Sequence, residues 1–309
     1  MGLYIVTGGA GFIGSHVVDA INARGDQSIV IDDLSTGRQE NLSDPTQLIT
    51  VDIARAIDLE KATANIQRAD GIVHCAAQAS VIVSLADPAR DRAVNLDGTK
   101  HVLALAERLG VPMVLTSTAA VYGLNAPLPT PEGAVIAPAS PYASSKVGAE
   151  AAVNEHSAST GLPHAVCRLA NVYGPRQRGD GEAGVVAVIA KRLQNGEKIT
   201  LYGSGDPTRD FIHVDDVAQA LLLALGSGVT CNIGTGMAVS VRHVYDLSVA
   251  AVPSQTGEPL LAELRSGEIM HSRLDPTRAY EALGWRSSIT ADEGVPETVS
   301  SLVAADSDS

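Results

Sequence analysis

Two residues that can handle a proton, Tyr142 and Lys146, stand at positions i and i+4 of the segment Ser140–Lys146. On a helix this spacing places a phenol and an ammonium group on the same face. A free tyrosine has a pKa of about 10. We expect the charge of Lys146 to lower the pKa of Tyr142 toward working pH, where a general base is most effective. The pattern predicts a base and its partner, and an ordinary surface pair is the alternative.

A glycine-rich turn lies far upstream, in Thr7–Gly14, between a strand-like run and a helical pattern. Glycines at 8, 11 and 14 allow a tight turn and bring a pyrophosphate close to a helix N-terminus, where free N–H groups favour anions. Asp32 follows at the end of the second predicted strand, as expected for an acid that binds the adenosine ribose. The turn therefore predicts a dinucleotide site, with a turn that holds no ligand as the alternative.

The nature of the dinucleotide follows from charge. Asp32 and Asp33 would repel a 2′-phosphate, which favours NAD over NADP, although Arg38 could instead reach such a phosphate. A bound, positively charged nicotinamide ring would act with Lys146 to lower the pKa of Tyr142, and Lys146 would also bind the ribose hydroxyls. The hydroxyls of Ser117 and Thr118 close another predicted strand and are expected near Tyr142, where they could share a hydrogen bond to a substrate oxygen.

Alternation of apolar runs with helical periodicity predicts the elements that position these residues. The expected strands are Leu3–Thr7, Ser28–Ile31, Leu48–Val51, Gly71–His74, Met113–Ser117 and His164–Arg168, and the expected helices include Phe12–Arg24, Asp87–Leu109 and Tyr142–Ser159. Such alternation is typical of a parallel sheet covered on both faces, which binds ligands at the carboxyl ends of its strands. The predicted class is α/β, a Rossmann-type doubly wound parallel sheet.

The pattern loosens after Arg168 and predicts a smaller, discontinuous α/β region that holds the substrate. We place the dinucleotide-binding domain at 1–170, completed by about 211–235, where Phe211–Leu225 reads as a helix and Cys231–Gly234 as a strand. Residues 171–210 and 236–300 form the substrate-binding domain, and 301–309 form a polar tail.

The composition of the chain limits the classes of partner that the protein is expected to bind. The net charge of -13 argues against nucleic acid and anionic membranes, because like charges repel. Cys75, Cys167 and Cys231 are far apart and show no metal-binding spacing, so buried thiols and no metal site are expected. The absence of a long apolar run and of room for a signal peptide before Leu3 predicts a cytoplasmic protein without a membrane span.

Several segments together resemble the extended short-chain dehydrogenase/reductase family, in its nucleotide-sugar epimerase/dehydratase branch. The resemblance spans residues 2 to 300 and rests on Thr7–Gly14, His74–Gln78, Thr116–Gly123, Tyr142–Lys146, Arg168–Pro175 and Arg209–Asp216. It is greatest to UDP-glucose 4-epimerases, in Asn171–Gln177 followed by Gly181–Val186.

The resemblance implies roles position by position. Thr118, Tyr142 and Lys146 match the catalytic residues. Residues that match NAD contacts are Phe12, Ile13, Asp32, Asp52, Ile53, Ala76 and Asn95. Residues that match positions holding the nucleotide diphosphate are Asn171, Val186, Tyr202, Arg209, Arg265 and Glu268. Gln78, Ser117 and Arg178 complete the expected substrate contacts. Related proteins form homodimers by packing the helices that correspond to Asp87–Leu109 and Tyr142–Ser159.

Departures from the branch sharpen the expected activity. Dehydratases and decarboxylases of this branch carry acids after the threonine, whereas this chain has Ala119 and Ala120. This favours epimerisation of a UDP-sugar at C4, with UDP-glucose and UDP-galactose expected first. Arg178 keeps UDP-glucuronate 4-epimerisation open, since an arginine there accompanies uronate use in related enzymes. An NAD(P)H-dependent 4-keto-sugar reductase and a non-catalytic, NAD-sensing Rossmann protein also stay open.

Overall fold

The computed structural model describes residues 1–43, 46–179, 184–252, 258–264 and 269–305. Its centre is a seven-stranded sheet in which every neighbouring pair is parallel. The strands of the described residues are β1 (Leu3–Thr7), β2 (Gln27–Asp32), β3 (Gln47–Thr50), β4 (Gly71–His74), β5 (Met113–Thr118), β6 (Ala165–Leu169), β7 (Asn171–Tyr173), β8 (Thr200–Tyr202), β9 (Thr208–Arg209), β10 (Phe211–His213), β11 (Thr230–Ile233), β12 (Val239–Ser240) and β13 (Leu260–Ala262).

The order across the large sheet is β3-β2-β1-β4-β5-β6-β11. Its first six positions are those of a doubly wound nucleotide-binding fold, and the chain reverses direction across the sheet between β1 and β4. Central strands are apolar on both faces, and Ile5 and Val6 of β1 have no exposed surface. The predicted fold class is confirmed, and the segment at 231–234 does return to the sheet as its edge strand.

The α-helices of the described residues lie on both faces of this sheet and around a separate apolar core in the second half of the chain. They are α1 (Phe12–Ala23), α2 (Ala56–Thr63), α3 (Val81–Ala86), α4 (Pro88–Arg92), α5 (Gly98–Leu109), α6 (Pro141–Thr160), α7 (Val185–Gln194), α8 (Val214–Ala224), α9 (Val241–Ala251), α10 (Thr277–Leu283) and α11 (Ala291–Ala305). Two separate apolar clusters lie on the two faces, one beneath α1 and α8 and the other beneath α5 and α6.

A third apolar cluster belongs to the second half of the chain. It joins α7, β8, β10, α9 and α11, with Ile189, Leu201, Phe211, Val244 and Val295 at its centre. Residues from both stretches of the predicted substrate region thus share one core, beside the three two-stranded sheets β7–β10, β9–β12 and β8–β13.

Two predicted helices differ in detail from the structure. The stretch expected as one helix at Asp87–Leu109 begins at Pro88, with Asp87 as its N-cap, and contains a π-helical turn at Ala93–Asp97. The stretch expected as a helix from Phe211 begins as β10, because Phe211–His213 pair with β7. The His213 side chain then accepts a hydrogen bond from the Asp215 N–H and caps α8.

Candidate active site

The glycine turn joins β1 to α1 at the carboxyl edge of the sheet. Gly8 has φ +68, and a Cβ there would lie 2.5 Å from the backbone nitrogen of Ala76. A Cβ on Gly14 would overlap the backbone of Gly8, so the first turn of α1 lies directly against the loop. Gly11 is the N-cap of α1 and provides no side-chain cap. The first N–H groups of α1, at Phe12 and Ile13, are therefore available to an anion.

Asp32 is held beside this turn. Its Oδ2 accepts a hydrogen bond from the Ala10 N–H at 3.0 Å, and its Oδ1 accepts one from the Leu34 N–H at 2.8 Å. Burial raises its pKa, while these backbone hydrogen bonds oppose the rise. Each carboxylate oxygen has a further lone pair. The residue is thus fixed in one orientation and retains capacity to accept ribose hydroxyl groups.

A second pair of acids lies next to it, at the ends of β2 and β3. Arg90 of α4 donates to the Asp52 carboxylate at 2.8 Å and lies 3.6 Å from that of Asp33. Ile53, which follows Asp52, is buried and accepts a hydrogen bond from His101 through its carbonyl. The residues expected to surround the adenosine of NAD, from β1, β2 and β3, therefore lie along one stretch of this edge.

The predicted proton-handling residues lie on α6, beyond the point between β1 and β4 where the chain reverses direction across the sheet. Ser140 caps α6 through its hydroxyl, and Pro141 opens the helix, so Tyr142 lies in the first turn and Lys146 one turn later. The Thr118 side chain lies close enough to Tyr142 to favour its phenolate form, which lowers the pKa of Tyr142. Strand β5 and helix α6 thus bring together the three residues that the sequence singled out as catalytic.

The proton affinity of Tyr142 differs from the prediction. Burial raises the pKa of Tyr142 to about 12, the Thr118 side chain opposes that rise, and the charge of Asp91 adds to it. The expectation that Lys146 lowers this pKa is wrong for the chain alone, because desolvation of the phenolate outweighs other effects. The contribution of a positive nicotinamide ring stays a prediction.

Lys146 is 3% exposed, and its Nζ donates to the Thr116 carbonyl at 2.9 Å. Burial lowers its pKa to about 8, and the charges of Asp91 and Glu150 oppose that shift. The ammonium form of Lys146 therefore predominates at pH 7, which lies about one pH unit below its pKa.

Asn95 and Gln78 bind each other beneath the loop that follows β4. The Gln78 N–H donates to Asn95 Oδ1, and Asn95 Nδ2 donates to the Gln78 carbonyl, both at 2.9 Å. The Gln78 side chain is bonded to Ser80 and Asp91. These contacts support the loop that carries Ala76. The predicted substrate contact of Gln78 and the predicted NAD contact of Asn95 stay predictions.

Ser117 also faces a protein partner. Its hydroxyl donates to Oε1 of Glu150 at 2.5 Å, and only 4% of the residue is exposed. Arg168 forms a salt bridge with the same carboxylate, with NH2 2.6 Å from Oε2. This buried group of three fastens β5, α6 and β6 together, and it speaks against the predicted substrate contact of Ser117.

The expected nucleotide-sugar contacts are more dispersed. Asn171 is exposed at the start of β7, and Tyr202 is partly exposed at the end of β8. Arg209 NH1 donates to the carbonyls of Thr208 and Ile269. The Val186 side chain is buried in the third apolar cluster, so only its backbone at the N-terminus of α7 could meet a ligand. Arg265 and Glu268 lie outside the described residues.

Arg178 is exposed, and its NH1 lies 3.5 Å from the carbonyl of Thr36, in the loop after β2. The structure thus gives no support to Arg178 as the partner of a sugar carboxylate.

Sequence reasoning missed the acids that surround the catalytic groups. Asp91 lies four residues before Asn95, and Glu150 lies four residues after Lys146. Either spacing could have been noticed, since residues i and i+4 share a helix face. Their burial depends on which face meets the sheet, and that is a tertiary property.

The geometry supports transfer of a proton next to a bound dinucleotide. Among the described residues no helix has the length and apolarity to cross a membrane, and no cluster of three or more His, Cys, Asp or Glu is arranged for a metal ion. All three cysteines are free thiols. An uncharged hydroxyl, Thr118, and a phenol, Tyr142, are thus the groups available to a substrate hydroxyl at this edge.

Comparison with known proteins agrees with this geometry. The profile of the NAD dependent epimerase/dehydratase family matches residues 4–234. The chain is 40% identical over 305 residues to a UDP-glucose 4-epimerase of Mycolicibacterium smegmatis, covering 96% of each chain. The UDP-glucose 4-epimerase of Thermotoga maritima, solved with UDP-glucose, superposes with a TM-score of 0.92 at 37% identity, covering 98% of this chain and 99% of the other. The UDP-glucose 4-epimerase of Thermus thermophilus, solved with NAD, gives 0.89 at 37% identity with the same coverage.

Proposed function

Because this chain belongs to the NAD dependent epimerase/dehydratase family, we propose that it is an NAD-dependent 4-epimerase that interconverts UDP-glucose and UDP-galactose. The observation that carries this proposal is the Thr118–Tyr142–Lys146 group beside the glycine turn, followed by alanines at 119 and 120. Relatives that are 40% and 37% identical over nearly the whole chain are UDP-glucose 4-epimerases. The sequence-based predictions of an enzyme, of NAD and of this branch are confirmed.

The chain has the features that a dinucleotide needs. The close approach of Gly14 to Gly8 leaves the N-terminus of α1 without a side chain in the way, which suits a pyrophosphate. Asp32 would hold the adenosine ribose, and Asp52 and Ile53 would border the adenine. Lys146 would hold the nicotinamide ribose. When bound, NAD supplies a nicotinamide ring that accepts a hydride from C4 of the sugar and gives it back.

Tyr142 is the proposed base that removes the proton from the 4-hydroxyl group. Thr118 orients this hydroxyl through its own hydrogen bond, and the ammonium of Lys146 favours the phenolate once the site is filled. The 4-keto sugar then turns about its diphosphate and presents its other face. Tyr142 returns the proton, and the configuration at C4 is inverted. One base is sufficient, which agrees with the absence of acids at 119 and 120.

The diphosphate is the proposed pivot of this rotation. The proposed diphosphate contacts among the described residues are Arg209, Tyr202, Asn171 and the N-terminus of α7. Arg265 and Glu268, which lie outside the described residues, stay predicted contacts. A guanidinium can pair with two phosphate oxygens at once, so Arg209 would anchor the substrate without fixing the sugar.

A panel of UDP- and dTDP-sugars, including UDP-glucuronate, incubated without added cofactor and followed by NMR, tests the proposal. We expect interconversion of UDP-glucose and UDP-galactose with no net consumption of NAD(H). Strict dependence on added NADH or NADPH would instead indicate a 4-keto-sugar reductase. A preference for UDP-glucuronate would transfer the proposal to that substrate. Absence of turnover on every sugar would leave the non-catalytic, NAD-sensing protein.

Three further expectations stay proposals. We expect a homodimer formed through the helices at 88–109 and 141–160, a division into the two domains given above, and a cytoplasmic location.

Mass analysis of the nucleotide released by denaturation should identify NAD(H). Recovery of mainly NADP(H) would overturn the argument from Asp32 and Asp33 and would bring Arg38 forward.

A further inference from the structure

Asp91 is a buried acid that the proposed mechanism does not use. It lies in α4, and only 1% of its surface is exposed, whereas Arg90 and Arg92 on either side reach solvent. Its Oδ1 accepts hydrogen bonds from Gln78 Nε2 at 2.9 Å and Asn95 Nδ2 at 3.1 Å. Its Oδ2 is buried without a hydrogen-bond partner among the described residues. A carboxylate in this situation is costly, so its retention calls for a physical reason.

Hydrogen bonds connect Asp91 to the helical turn that carries the catalytic pair. Asn95 Nδ2 also donates to the Ser145 hydroxyl at 3.1 Å, and that hydroxyl donates to the Tyr142 carbonyl at 2.9 Å. Gln78 extends the same connection to the loop after β4, where Ala76 lies against Gly8. One carboxylate oxygen is thus connected through Asn95 and Ser145 to the first turn of α6, and through Gln78 to the loop beside the glycine turn.

The charge of Asp91 also acts on both catalytic groups. It raises the pKa of Tyr142 and that of Lys146, so it favours the phenol and the ammonium form. The charge of Glu150 acts on Lys146 in the same direction. The neighbouring arginines have other partners, since Arg90 pairs with Asp52 and Arg92 lies 3.8 Å from Asp97. Asp91 is therefore the acid that influences Tyr142 and Lys146 together.

We propose that Asp91 is a positioning residue for the reaction: its buried carboxylate orients the Tyr142–Lys146 turn and the loop after β4 through Asn95 and Gln78. This inference rests on the proposed epimerase function. The carboxylate touches no reacting atom, and its effect passes through residues that do.

Asp91→Asn tests the charge, because the amide keeps the shape and one acceptor oxygen. We expect kcat to fall by about 10-fold with less than about a twofold change in KM, since an orienting effect acts on turnover. The alkaline limb of the kcat profile, where Lys146 loses its proton, should move to lower pH by about half a unit or more. The matched control is Asp97→Asn, an acid less than two turns away whose side chain is 40% exposed. It should leave both quantities at wild-type values.

A readout without turnover separates this inference from the proposed function. In protein containing nitrogen-15 lysine, the NMR resonance of Lys146 Nζ should titrate at lower pH in Asp91→Asn than in the wild type. Gln78→Leu keeps the charge of Asp91 but removes its hydrogen bond from Gln78, together with the two hydrogen bonds between the Gln78 side chain and Ser80. It should lower kcat without moving that midpoint, and it keeps the inference testable if Asp91→Asn fails to fold. Wild-type kcat, pH profile and Lys146 midpoint in Asp91→Asn would overturn the proposal. So would a lower melting temperature as the sole change, which would reduce Asp91 to a stabilising residue.

Discussion

Tyr142 and Lys146 lie one helical turn apart on α6, and burial moves their pKa values in opposite directions, to about 12 and about 8. Desolvation penalises whichever form is charged, so the phenolate and the ammonium are both disfavoured. Thr118 opposes this effect at Tyr142, and Asp91 and Glu150 oppose it at Lys146. At the residue scale, the chain alone therefore favours the protonated phenol, and a positive nicotinamide ring is predicted to favour the phenolate.

Replacing Tyr142 by Phe should lower kcat by about 100-fold or more, the usual contribution of a general acid–base group. Binding of NAD and of the UDP-sugar should be retained, because the ring remains and only the hydroxyl is lost. Steady-state kinetics and the amount of nucleotide that copurifies measure the two effects. Tyr280→Phe, at an exposed position on α10, is the matched control. Turnover near the wild-type rate would remove Tyr142 from the mechanism.

Elements meet at the site through buried polar contacts as well as through apolar packing. His74 of β4 lies between β1 and α5, with Nδ1 2.6 Å from the Thr7 hydroxyl and Nε2 3.0 Å from that of Thr99. The Thr99 hydroxyl donates its proton to the Asn95 carbonyl, so it must accept from His74 Nε2. We therefore assign a neutral imidazole with its proton on Nε2. Burial and the charge of Lys146 lower its pKa to about 3.

This histidine should make the protein less stable in acid. Between its unperturbed pKa of 6.5 and its folded pKa of about 3, the unfolded state binds the additional proton. The free energy of unfolding therefore falls as pH falls through this window, by up to about 1.4 kcal/mol per pH unit for this one group. Urea unfolding at several pH values should show a shallower dependence in His74→Gln than in the wild type. Exposed His271→Gln should retain the wild-type slope, and an unchanged slope in His74→Gln would contradict the assignment.

At the scale of the molecule, polar contacts join α1, which covers the large sheet, to the segment that leads toward the third apolar cluster. His16 of α1 contacts the Pro175 carbonyl through Nε2 at 3.0 Å and the Asp215 carboxylate through Nδ1 at 2.7 Å. Arg176 pairs with Asp19 of α1 at 2.7 Å. The segment that leads from the sheet toward α7 is thus fastened to the helix whose N-terminus is proposed to hold the pyrophosphate.

The proposed homodimer is tested at this scale. The outward face of α6 presents small residues such as Ala151, and Ala104 is exposed on the neighbouring α5. Light scattering should give twice the mass of one chain for the wild type. Ala151→Arg would place a long charged side chain in a helix–helix contact and should shift the protein toward monomers. Ala282→Arg, an exposed position on α10, should leave the mass unchanged. A wild-type protein with the mass of one chain would contradict the proposed homodimer.

The sequence by itself determined the fold class, the glycine turn, Asp32 and the Thr118–Tyr142–Lys146 group. Strand and helix periodicity, glycine spacing and an i, i+4 pair are local patterns, and local patterns are readable from one chain. Only the tertiary structure decided what surrounds these residues. It turned Ser117 toward Glu150, Gln78 toward Asp91 and Arg178 toward Thr36. It also reversed the expected shift at Tyr142, because desolvation depends on how deeply packing buries a group, and spacing along the chain carries no measure of that depth.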